Sequence, residues 1–121
     1  MRSVSRGALS VFVFGVYLLG LGSTLILIPN PFLAVFGLPP VTDAWIRAMG
    51  MTFFFLGTYH VVAARHEFKP FFQYSVYLRP LVILFFAAFV VLKLAGPALI
   101  LFGCVDLAGA TWTAIALRRD S

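Results

Sequence analysis

The sequence predicts an all-α integral membrane protein, a bundle of four crossing helices. Of its 121 residues, 62% are hydrophobic and only 11% are charged, more apolar surface than so small a chain can hide in a water-soluble core. Four apolar runs each approach the roughly 20 residues that cross a bilayer core. None alternates in polarity as barrel strands do, and in hydrocarbon a continuous apolar run satisfies its own N–H and C=O groups only as a helix. No repeat or second unit interrupts the chain, so residues 1–121 read as one membrane domain.

The first crossing is expected over about 8–28. The pair Arg2 and Arg6 ahead of it, with Gly20-Leu21-Gly22 inside it, loosely imitates a cleavable leader. The run continues to Ile28, longer than a leader's apolar core needs and right for a crossing. Next comes Pro29-Asn30-Pro31, where Asn30 suits a helix cap and Pro31 the first helical position, followed by Gly37, which suits a helix stop. A short interfacial helix over about 31–36 is the reading. The second crossing spans about 44–64 and the third about 75–95, with a basic connection from Arg65 to Tyr74 between them. Gly96-Pro97 then forces a hairpin into the fourth, about 97–117.

Orientation follows from the positive charges, which short cytoplasmic segments retain. Arg2, Arg6, Arg65, Lys69, Arg79, Arg118 and Arg119 fall on one side if the chain crosses four times; Arg47 and Lys93 are the exceptions. Both termini are therefore expected in the cytoplasm, and the location is a bacterial inner membrane. Arg47 lies one helical turn after Asp43, which suggests a local ion pair at the outer surface. Trp45 and Trp112 suit the role of interfacial anchors near opposite faces, and Arg65 and Lys69 suit contact with lipid head groups. Those head groups explain the basic residues more simply than nucleic acid does.

Asp106 stands near the bilayer midplane, where a bare carboxylate costs roughly 2.5 to 3.5 kcal/mol. Gly103, Asp106, Ala110 and Thr113 recur at three- and four-residue spacing, a small and polar stripe that permits close helix contact. Gly50, Phe53, Gly57, His60 and Ala64 repeat the device on the second crossing. Asp106 and His60 are thus candidate proton or ligand groups, together with Arg79 and Tyr59; for Asp106 a structural hydrogen bond or ion pair, and for His60 a buried ring satisfied by a neighbouring helix, is the simpler reading. Arg79, next to Pro80, can meet lipid phosphate or turn inward toward Asp106, a pair that a depth difference of about half a membrane opposes. No nucleophile with a base, no phosphate-binding loop and no metal-ligand cluster is present. A cytochrome is disfavoured too, because His66 falls in a loop and leaves His60 as the one intramembrane histidine. Cys104 is the only cysteine, so an intramolecular disulfide is excluded.

Phe36-Gly37-Leu38-Pro39, Arg47-Ala48-Met49-Gly50, Leu56-Gly57-Thr58-Tyr59, Ala63-Ala64-Arg65, Ser75-Val76 with Arg79, and Asp106 with Trp112-Thr113 together resemble a group of small bacterial four-helix membrane proteins of unknown function. That group is in turn distantly similar to the DoxX-like superfamily. The resemblance implies a redox-adjacent or accessory role, carried here by Arg47, Tyr59, Arg65, Arg79 and Asp106, without naming a substrate; a quinone and a lipid are the candidate ligands, and the cofactor stays open. The favoured expectation is an accessory or scaffold protein, without chemistry of its own, that packs against partner membrane proteins, a second copy and lipids. A quinone-linked oxidoreductase subunit is the alternative, and a small oligomeric transporter or channel a weaker one.

Overall fold

The computed structural model describes residues 5–94 and 96–120; Arg2, counted above among the orientation charges, lies outside them. Five helices are present among the described residues, α1 (Arg6–Leu27), α2 (Pro29–Val35), α3 (Trp45–Arg65), α4 (Lys69–Val91) and α5 (Ala98–Asp120). Three of them, α1, α4 and α5, are long and apolar enough to cross a membrane.

Local chemistry accounts for the boundaries. Ser5 caps α1 by accepting from the Ala8 N–H at 3.1 Å. Gly37 takes a φ of +71° after α2, letting the Gly37 and Leu38 amides reach the Ala34 and Leu33 carbonyls at 3.0 Å. Asn30 does not cap: it lies within α2, and its side chain pairs with both backbone groups of Val41, accepting at 2.8 Å and donating at 3.2 Å. It thereby ties the loop before α3 to α2.

The basic connection after α3 is shorter than its polarity suggests. A tight turn separates α3 from α4, with Glu67 at φ +52°, and α4 begins at Lys69 rather than near residue 75. Pro70 tolerates a first helical turn because the amide it lacks has no intrahelical acceptor there, and Phe72, within the same turn, is fully buried. Pro80 lies inside α4 without ending it.

Helix α1 packs along α3 in antiparallel fashion, and α4 along α5. The α1–α3 seam is built from small residues seven apart: Ala8, Gly15 and Gly22 on α1 against Ala64, Gly57 and Gly50 on α3. A Cβ on Gly22 would stand 2.5 Å from the Gly50 carbonyl oxygen, and one on Gly57 would stand 2.7 Å from that of Gly15. The backbones touch, which is what small residues allow between apolar helices. One apolar cluster, with Ala8, Val11, Ala63, Ala64 and Phe72 at its centre and Leu117 against it, gathers the start of α1, the end of α3, the start of α4 and the end of α5. A second, around Leu25, Leu33 and Ile46, closes the opposite end beneath α2.

Candidate functional site

The polar heart of the bundle is Arg79. It is 6% exposed, because α4 starts early enough to carry it into the third helical turn and because α1 and α5 close over it. The guanidinium lies 4.5 Å from the Phe14 ring centre, a cation on an aromatic face. Its Nη2 donates to Thr113 Oγ1 at 2.7 Å and to Ser75 Oγ at 3.2 Å, and its Nε donates to the Ser75 carbonyl at 3.4 Å. Thr113 Oγ1 is in turn 2.8 Å from Ser10 Oγ. One chain of hydrogen bonds, Ser10–Thr113–Arg79–Ser75, thus joins α1, α5 and α4. Guanidinium carries five N–H donors; Nε and Nη2 use three, while Nη1 is buried without a partner.

His60 is the second buried polar group, 7% exposed between the Phe14 and Phe71 rings, whose centres lie 5.4 and 4.9 Å away. Its Nδ1 is 2.7 Å from the Leu56 carbonyl, which can only accept, so the proton sits on Nδ1 and Nε2 presents a lone pair in the neutral ring. Nε2 has no partner. Phe14 therefore separates an unused donor from an unused acceptor.

Of the expected candidates, the structure brings Arg79 and His60 together around Phe14. Asp106 is half-buried on α5, within electrostatic reach of Arg79 but not bonded to it. The depth gap that opposed the pair is smaller than expected. Arg79 lies ten residues from the start of α4 and Asp106 fourteen from the end of α5, about 15 and 21 Å at 1.5 Å per residue. Tyr59 is 62% exposed on the outer side of α3 and takes no part. Arg47 also departs from expectation, since it forms no ion pair with Asp43. Its Nη1 donates instead to the Ile26 carbonyl, an acceptor that the last turn of α1 leaves without an amide.

Of the packing candidates, Gly50, Gly57, Ala64, Gly103 and Ala110 are all buried. Trp45 and Trp112 are exposed, as are Arg65 and Lys69. Reading one helix at a time misses the partner stripe on α1 and the polar partners of Arg79. The seven-residue recurrence of Ala8, Gly15 and Gly22 is the signal for the first. Ser10 and Ser75 leave no such trace, because each is a small residue in an apolar run until its partner is known.

An open surface groove of about 460 Å³ is lined by Val41, Trp45, Ile46, Met49 and Thr52, toward the opposite end of α3 from His60. No group of three or more His, Cys, Asp or Glu side chains that could hold a metal occurs among the described residues. No family model matches this sequence, and no curated protein and no solved structure matches it.

Proposed function

We propose that this chain is a small four-crossing membrane protein of a bacterial inner membrane that serves as an accessory or scaffold subunit. The observation that carries the reading is how its polar groups are used. The buried Arg79 is spent on Thr113 and Ser75, binding the bundle's own helices together, while the outward faces of α4 and α5 are left apolar. Only 11% of the apolar window of α4 and 17% of that of α5 is buried within the chain. A rigid inner seam and two long uncovered faces suit a protein whose work is done by its surface.

The α1–α3 seam supports a fourth crossing. Contact from Ala8–Ala64 to Gly22–Gly50 runs over fourteen residues, about 21 Å, so α3 shares the depth of α1 through most of a bilayer core. With four crossings the starts of α1 and α4 and the ends of α3 and α5 share one side. Arg6, Arg65, Lys69, Arg118 and Arg119 then mark that side as cytoplasmic. On the DoxX-like resemblance such a subunit would stand beside redox enzymes, and Arg79, His60 and Asp106 are the groups that an oxidoreductase reading would use.

The test is photo-crosslinking in native membranes from a diazirine side chain at Leu84 or Phe85, both exposed on α4, with Leu18 as a buried control. A discrete protein adduct of constant mass from the α4 sites supports a partner on that face. Lipid adducts alone would refute the scaffold role.

A further inference from the structure

Asp106 is left open by its own chain. It accepts no hydrogen bond among the described residues, and its carboxylate oxygens are not sealed in as Arg79 Nη1 and His60 Nε2 are. The packing explains the opening. Around Phe72 all four long helices meet, whereas the apolar cluster at the opposite end is centred on α1, α2 and α3, and on α4 the buried residues are Phe72, Ser75 and Arg79, with none beyond. Asp106 stands about four residues, roughly 6 Å, past the depth of Arg79, where that closure has ended. Facing it from α1 is Tyr17, within electrostatic reach and likewise only partly covered. Its hydroxyl also makes no hydrogen bond among the described residues.

A carboxylate open to hydrocarbon is expensive, and such groups pair with a charge of opposite sign. Carboxylate and phenol oxygen both accept, so together they suit a cationic donor. Arg79 does not serve: its Nη2 is spent on Thr113 and Ser75, and its free N–H group is sealed in. A second copy does not serve either. On the four-crossing reading its other cations stand at the bundle ends, Arg47 and Lys93 at one and the remainder at the other, and the ammonium groups of lipids sit at the bilayer surface. We propose that Asp106 and Tyr17 form a docking site, on the α1–α5 side of the bundle, for a membrane-spanning helix of a different protein that presents a lysine or arginine from the middle of its own apolar stretch. The site rests on the accessory-subunit reading and names the chemistry of its partner.

A diazirine side chain at Val13, exposed on α1 one helical turn before Tyr17, tests the site in native membranes, with the crosslinked peptide sequenced by mass spectrometry. The wild type should give a protein adduct of constant mass whose crosslinked segment is apolar and carries a lysine or arginine. Asp106→Asn keeps the size of the side chain and removes its charge. It should lower the adduct yield by about tenfold or more, because the partner's charge is left buried and unpaired, and Asp106→Glu should recover most of the yield. Asp106→Lys combined with aspartate at the partner's basic position should also recover it, which a residue that only braces its own bundle would not do. Should the Asn variant fail to fold, that exchange decides, and a yield no higher than with Asp106→Lys alone overturns the site. The diazirine at Phe85 on α4 separates this site from the scaffold role. If Phe85 keeps its protein adduct while Val13 gives none, gives a segment without a basic residue, or gives a yield unchanged in Asp106→Asn, the site falls and the scaffold role stands. Lipid adducts alone from both positions overturn both.

Discussion

Replacing Gly57 with alanine puts the α1–α3 seam to a quantitative test. The added Cβ would stand 2.7 Å from the Gly15 carbonyl oxygen, 2.8 Å from the Leu19 nitrogen and 3.0 Å from Leu19 Cγ. Two of these are backbone atoms in the middle of a helix and cannot swing aside. Ordinary contact begins near about 3.5 Å, so the helices must part by roughly 0.5 to 1 Å. A gap of that width forfeits about a quarter to a half of each contact's attraction along the seam. Forcing a methyl into a close-packed site typically costs about 1 to 3 kcal/mol, against which alanine returns at most about 1 kcal/mol of helix preference. With the full helix preference returned the net loss is about 0 to 2 kcal/mol, and relative to an alanine placed in open space it is about 1 to 3 kcal/mol. Gly20→Ala is the matched control, since nothing lies within 4 Å of its added Cβ, and it should be neutral or slightly stabilising. Reversible unfolding in mixed micelles, followed by circular dichroism, reads both. Equal midpoints for the two variants would refute the close approach of α1 and α3.

Three further outcomes follow from the polar cluster and from the helix boundaries. Thr113→Val should destabilise by about 1 to 3 kcal/mol, because it strips Arg79 Nη2 and Ser10 Oγ of a partner at a fully buried position; Thr113→Ser should recover most of it in the same unfolding assay. Asp106→Asn should cost about 1 kcal/mol or less, since Asp106 is not bonded to Arg79, and its coupling with Arg79→Gln should fall well below the roughly 3 to 5 kcal/mol of a broken buried ion pair. In cysteine-labelling experiments on intact cells, Cys104→Ser carrying Phe68→Cys should be shielded from an impermeant maleimide while the same background carrying Pro39→Cys reacts, as four crossings require. Reaction at both sites, or at neither, would remove α3 from the membrane.

Length and hydropathy were enough to determine that this chain is helical, with helices long and apolar enough to cross a membrane and boundaries near Ile28, Arg65 and Pro97, because an apolar run in lipid must satisfy its own backbone as a helix. The small-residue stripes of α3 and α5 were legible for a related reason: glycine and alanine recurring on one face, as at Gly50, Gly57 and Ala64, mark where another backbone can approach. What meets those faces was not legible. A helix apolar on every side carries no preferred direction in its hydropathy, so the match of Gly15 to Gly57 and Gly22 to Gly50 exists only once α1 and α3 are set antiparallel in register. The same holds for Arg79. Its inward turn depends on Thr113 and on Ser10, residues that stand 103 positions apart in the chain, and on an α4 that begins six residues earlier than its polar start suggested. Tertiary structure alone decided that the arginine faces Thr113 rather than lipid phosphate, since a buried cation is tolerated only where distant segments supply its acceptors together.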